Sequence, residues 1–164
     1  ILNPVPDFSS GINVELDYKG FDLAVFFQGV QGVQIYNNQK FQTDFWSLTD
    51  AGSNKGSRLL NAWTTDNTSS LIPALTTNNT GDEGRASTYF VENGSYLKLR
   101  DLSVGYNLPT DVLQRCKLSK LRFYLSGHNL LTIKSKALTC KDPENPNWAY
   151  PLATSVTFGV QVGF

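Results

Sequence analysis

Residues 154–164 constrain the fold of this chain more than any other stretch. Val156, Phe158, Val160, Val162 and Phe164 alternate with Ser155, Thr157, Gly159, Gln161 and Gly163. Successive side chains of a strand point to opposite faces. The segment therefore predicts a strand with one wholly apolar face and one small or polar face. A soluble protein rarely closes on an aromatic side chain in an apolar row. The pattern suits a strand with lipid on one side and a wet interior on the other.

The same period recurs upstream. Ile12, Val14, Leu16 and Tyr18 alternate with Asn13, Glu15 and Asp17. Phe21, Leu23, Val25 and Phe27 alternate with Asp22, Ala24, Phe26 and Gln28, and Phe26 breaks the polar face once. Leu102, Val104, Tyr106 and Leu108 alternate with Ser103, Gly105 and Asn107. Leu121, Phe123 and Leu125 alternate with Arg122, Tyr124 and Ser126. No run approaches the roughly 20 apolar residues of a spanning helix, but a tilted barrel strand needs only about 9–11. Leu97 and Leu99 fall out of phase with Leu102 and Val104. Either a β-bulge shifts the register, or the upper part of that strand turns toward loop and interior contacts; the second is the expectation.

Strand spacing gives the topology. The pair Lys19-Gly20 marks a tight hairpin. A short segment from Pro109 joins the third and fourth strands, with Thr110 expected to cap a helical turn through Leu113 and Gln114. The other two connections, 29–95 and 134–153, are long. Short and long connections thus alternate, as in an up-and-down barrel with short periplasmic turns and longer extracellular loops. The expected strands lie near 8–18, 21–28, 96–108, 121–133 and 154–164. A connection as long as 29–95 is expected to hold small elements of its own, among them a short helix over 57–63 with Leu59, Leu60 and Trp63 on one side. Cys116 falls on the short-turn side and Cys140 in a long loop. A hydrocarbon layer of roughly 30 Å would separate them, far beyond the Cα spacing of about 7 Å that a disulfide tolerates, so no bridge is expected.

Composition narrows the function. Fourteen basic and fourteen acidic residues cancel, which argues against nucleic acid as a partner. Charged residues make up 17% and aromatics 12% of the chain, a balance that fits a barrel with aromatic girdles or a carbohydrate-binding β-sandwich. With no methionine and Ile1 at its start, the sequence reads as a piece of a longer protein. No nucleophile elbow, phosphate loop or metal spacing occurs, so neither enzyme activity nor a cofactor is expected. His128, the only histidine, is expected to be a satisfied interior or interface residue. Asp142 and Glu144 flank Pro143; acid–base pairing and calcium binding are conceivable for such a pair, but the prolines favour a turn.

Three blocks carry a family resemblance: DYKGFDLAVFFQGVQG, SYLKLRDLSVGY and SGHNLLT, with the close YPLATSVTFGVQVGF. In order and spacing they resemble the C-terminal part of SusC/RagA-type TonB-dependent outer-membrane transporters. The resemblance implies an all-β fold: the last five antiparallel strands of a large transmembrane up-and-down barrel of about 22 strands, without the plug domain and the TonB box. It implies import of a glycan, oligosaccharide or peptide across a bacterial outer membrane. It also implies a SusD-like lipoprotein lid, TonB acting through the missing N-terminal part, outer-membrane lipid around the wall, and a dimer of transporter–lid pairs. Phe164 would belong to the signal read by the barrel-assembly machinery. Glu15, Asp17, Asp22, Arg122 and Tyr124 would face the lumen. Trp46, Trp63, Trp148 and Tyr150 fall in the extracellular loops, where they would contact substrate or lid, or pack the loops internally. The alternative function is a soluble β-sandwich carbohydrate-binding module.

Overall fold

The computed structural model describes residues 2–45, 54–77, 82–147 and 150–164. Five strands form one sheet: β1 (Phe8–Tyr18), β2 (Phe21–Gln31), β5 (Tyr96–Asn107), β6 (Lys120–Lys134) and β7 (Ser155–Gly163), in the order β1-β2-β5-β6-β7. Every pairing is antiparallel, and neighbours in the sheet follow each other along the chain. A second, two-stranded sheet pairs β3 (Gln34–Tyr36) with β4 (Val91–Asn93), both inside the first long connection. Helix α1 (Asn38–Asp44) follows β3, and α2 (Thr110–Arg115) lies between β5 and β6.

The turns follow from local chemistry. Lys19 and Gly20 adopt φ of 48° and 89°, the doubly left-handed geometry of a two-residue hairpin whose twist matches its strands. Thr110 does not cap α2. Pro109 takes the cap position, and its carbonyl accepts from the Val112 and Leu113 N–H groups. Proline's fixed φ suits the entry to a helix and its missing N–H costs nothing there. β2 runs three residues beyond the alternating stretch, because Gly29, Val30 and Gln31 find ladder partners in Ser10, Ser9 and Phe8.

The phase change in β5 is a bulge, contrary to the expectation that the upper strand turns its face. Phe26 pairs with Asp101 and Phe27 with Leu99, leaving Arg100 extra. Leu97 and Leu99 therefore rejoin the face of Leu102 and Val104. β6 answers at the same level: Asp101 pairs with His128 but Leu99 with Leu131. Asn129 takes φ 52° there, a conformation that asparagine tolerates better than most residues. Arg100 ties the two irregularities together, donating to Gln28 Oε1 at 2.6 Å and to Asn129 Oδ1 at 2.9 Å.

Among the described residues, no protein core lies under the sheet. The apolar face is uncovered: Ile12, Leu16, Leu125, Val156 and Phe158 are each at least half exposed. The largest fully buried side chains, Phe90, Lys98, Asn37, Asp44 and Cys140, lie instead at the long-loop end of the molecule. Phe90 sits among Tyr36, Phe41, Phe45 and Tyr89, with ring centroids 5.0–6.0 Å away. The expected helix near 57–63 is a 3-10 turn over Ser57–Asn61, and it buries Leu59 while leaving Leu60 93% exposed. A three-residue repeat sets adjacent leucines on different sides, so they do not share a face.

On the other face, glycines make room for large neighbours. A Cβ on Gly105 would lie 2.5 Å from both Asp22 carboxylate oxygens and 2.6 Å from Arg122 Nε. The Asp22–Arg122 ion pair thus reaches from β2 to β6 across the bare backbone of β5. A Cβ on Gly159 would fall 2.2 Å from Tyr124 Cζ, so that ring lies flat over β7. Gly105→Val should force the ion pair apart and lower stability by about 1–3 kcal/mol. The midpoint of thermal unfolding of the assembled protein reads this, and an unchanged midpoint would refute the bridging geometry.

Candidate functional site

Two surfaces carry polar chemistry: the polar face of the sheet, and the rim built by the long connections. On the polar face Arg122 Nε donates to Asp22 Oδ1 at 2.9 Å, and Asn107 Nδ2 donates to the same oxygen at 2.8 Å. The Arg122 guanidinium also stands 5.0 Å from the centroid of the Tyr124 ring. Asp22, Arg122 and Tyr124, expected on one face, thus form one cluster near the short-turn end. Glu15 and Asp17 lie on the exposed edge strand β1, Asp17 directly opposite Asp22 in the ladder, and Glu15 accepts from Asn13 Nδ2 at 2.8 Å. Higher up, His128 pairs with Asp101.

The rim is held by buried ionic contacts. Lys98, only 2% exposed, donates to Asp142 Oδ1 at 2.8 Å and to Glu144 Oε2 at 2.5 Å. Tyr96 donates its hydroxyl to Glu144 at 2.8 Å, and Arg100 pairs with the same carboxylate. Asp142 also accepts the backbone N–H groups of Glu144 and Leu152, at 3.1 and 3.2 Å. Asp142 and Glu144 do stand in a turn, since Asn145 N–H donates to the Asp142 carbonyl, but they also anchor that turn to β5.

A second carboxylate joins the two connections. Glu92 accepts from Asn37 Nδ2 at 2.9 Å, and from the Thr139 N–H and hydroxyl, each at 2.8 Å. Lys40 stands 3.5 Å from it. Asn37 serves twice, because its side-chain oxygen caps α1 by accepting the Lys40 N–H at 3.0 Å. Asn is among the preferred residues at that position. Deeper in the same connection, Asp44 is fully buried; it accepts from Tyr89 Oη at 2.8 Å and pairs with Arg58 at 3.3 Å. Burial, and next the Asp44 carboxylate, push the Tyr89 hydroxyl well above its ordinary value. Every buried side-chain nitrogen and oxygen among the described residues has a partner. None of these clusters groups three or more metal-binding side chains.

The aromatic candidates divide. Trp46 and Trp148 lie outside the described residues. Trp63 is 41% exposed, in a loop stitched by its own N–H to the Ile72 carbonyl at 2.9 Å. Tyr150 is 95% exposed. Phe164 is almost fully exposed, in line with the apolar row. Cys116 is exposed and Cys140 buried, and both are free thiols. Sequence reasoning missed Lys98, Arg100, Glu92, Asn37 and Thr139. Lys98 and Arg100 did leave a signal, as cations inside a strand whose phase slips.

No family model matches the chain. The TonB-dependent receptor P3 of Formosa agariphila is 38% identical over 135 residues, covering 80% of this chain and 12% of the relative. The TonB-dependent receptor P26 of the same organism is 28% identical over 177 residues, covering 99% of this chain and 17% of the relative. Among solved structures, the RagAB peptide importer in its 'open-open' state matches with TM-score 0.77 and 27% identity. The same importer in its 'closed-closed' state matches with TM-score 0.77 and 28% identity. Each of these two matches covers 99% of this chain and 18% of the other. The chain thus spans less than a fifth of the length of the relatives it matches.

The rim carboxylates fix its pH dependence. Burial alone would raise Glu92, but the Thr139 and Asn37 hydrogen bonds and the Lys40 charge outweigh it and hold the group below 4.5. Asp142 and Glu144 are likewise lowered, burial being overcome chiefly by the hydrogen bonds from Lys98. A carboxyl lowered in the folded state contributes stability that is complete above its unfolded value and lost as pH falls through its folded one. Resistance of residues 37–44, 90–93 and 138–145 to proteolysis should hold from neutrality to about pH 5 and fall below about pH 4. Cleavage by an acid-active protease across that range tests this; loosening that begins above pH 6 would contradict it.

Proposed function

We propose that this chain, a segment of a SusC/RagA-type TonB-dependent receptor, supplies part of the membrane wall and outer rim of an importer that takes nutrients across a bacterial outer membrane. The uncovered apolar face of the sheet carries this conclusion. Tyr18, Phe21, Tyr106 and Phe123 are successive cross-strand partners, so four adjacent strands present aromatics at one level of that face. A row of this kind is the girdle that barrels place at a membrane interface. From this row to Leu97, with the bulge discounted, the face runs roughly 26 Å along the strand. At the usual tilt of about 40° that is roughly 20 Å of height, comparable with the apolar band of about 25 Å. Above Leu97 the polar rim begins.

In this reading the short-turn end faces the periplasm and the rim faces outward. The importer works by passage and makes no bonds. The Asp22–Arg122–Tyr124 cluster lines the lumen, and Trp63 and Tyr150 on the rim contact cargo or a SusD-like lipoprotein lid. TonB acts through the rest of the receptor, and receptor–lid pairs associate as dimers. A peptide is the first cargo to test, since the solved relatives are peptide importers. A soluble carbohydrate-binding sandwich would need a second sheet on the apolar face, and among the described residues none lies there.

A matched pair of substitutions in the complete receptor tests the wall. Phe158→Lys, on the apolar face, should cost roughly 2–4 kcal/mol and sharply reduce heat-resistant folded receptor in the outer membrane. Gln161→Lys, on the opposite face of the same strand, should leave that amount nearly unchanged. Equal tolerance of both would sink the membrane assignment. With folded receptor present, uptake of a labelled peptide mixture should be lost when TonB is deleted, and uptake that persists without TonB would contradict the import reading.

A further inference from the structure

We infer that residues 37–44 and 90–93 of the first long connection and 138–144 of the second behave as one rigid rim, welded to each other at Glu92 and to the wall at Lys98, so that neither part moves without the other. Among the described residues, Lys98 is the one link that is both buried and shared by two carboxylates of the second connection, Asp142 and Glu144. It sits on β5, beside the Arg100 bulge, where the sheet meets the rim. From there the joint passes through Thr139, whose N–H and hydroxyl both reach Glu92 on β4. Asn37 completes the weld: its amide donates to Glu92 and to Thr139 Oγ1, the latter at 2.8 Å, while its oxygen caps α1. A third contact runs from Gln39 Nε2 to the Asn147 carbonyl at 2.7 Å. α1, β3 and β4, with the Phe90 cluster between them, are thereby keyed to the second connection, and that connection is keyed to β5.

The arrangement has a functional consequence, which rests on the import reading above. Trp63 stands on the first connection and Tyr150 on the second. A cargo or partner that displaces either is opposed by the same buried ammonium, so contacts on the two loops are energetically coupled. Rim opening is then one event with two entry points, in place of two independent loop motions.

Hydrogen exchange of the complete receptor in detergent tests the coupling directly and does not depend on what is transported. Lys98→Met removes the buried ammonium from the joint to the wall and leaves Tyr96 and Arg100 on Glu144. Breaking a buried ion pair of this kind should speed exchange on the order of a hundredfold in 138–144 and also in 37–44 and 90–93. Amides of β6 and β7 should stay protected, showing that the wall is intact. In a Glu92→Ala, Thr139→Ala, Gln39→Ala background all three side-chain links between the loops are cut, and Lys98→Met should then accelerate 138–144 alone. The inference is overturned if Lys98→Met loosens only 138–144 in the otherwise unaltered receptor, or if 37–44 still responds once the three links are cut. Should Lys98→Met fail to assemble, Asp142→Asn weakens the same joint from the loop side and is judged by the same two patterns. A failed transport assay with coupled exchange would refute the import reading and leave the rim intact.

Discussion

Backbone hydrogen bonding is the constraint on which the rest of this structure depends. A sheet whose side chains face hydrocarbon has no water to satisfy a stray N–H or C=O. Strands therefore keep their register through most of the apolar height, and β2 and β5 do so from the Lys19-Gly20 turn to the level of Phe26. Both departures, at Arg100 and at Asn129, fall at the upper end, where side chains from Gln28 and Asn129 reach the Arg100 guanidinium. The bulge has a second effect. It returns Leu97 and Leu99 to the apolar face, so the strand gains an extra residue without turning a leucine inward. β1 and β7 each keep one edge with no partner strand among the described residues, and a closed wall would pair both.

Alternation made the sheet legible in the sequence, because the period of two is local and each strand repeats it. The antiparallel all-β reading holds for the same reason. The bulge was misread because a one-residue slip and a change of facing leave the same trace in a single strand; only the partner register, Phe27 opposite Leu99, separates them. The rim was illegible for a different reason. Asn37 and Glu92 are 55 positions apart, and Asn37 and Thr139 are 102 apart. Neither pair belongs to a periodic stretch. What brings them together is the closure of two long connections over one another, and no spacing rule reports that. Asp142 and Glu144 were recognisable as turn residues from the adjoining prolines, yet their partner on β5 was not.

The two halves of the molecule draw their stability from different sources. The sheet buries almost nothing against protein, so its apolar residues gain only when hydrocarbon surrounds them, and its strands are complete only when neighbours pair their edges. The rim carries its own interior in Phe90 and its ring of aromatics, and needs neither. Joining such parts with an apolar contact would be unspecific, since leucines abound on the wall just below. A buried ammonium held by two carboxylates discriminates strongly, because a misplaced loop would leave at least one charge buried and unpaired, a state costing several kcal/mol. Replacing such a group by well-packed apolar side chains is often no loss in stability. Its value here lies in fixing where the rim sits on the wall, at the level where the surroundings change from lipid to water.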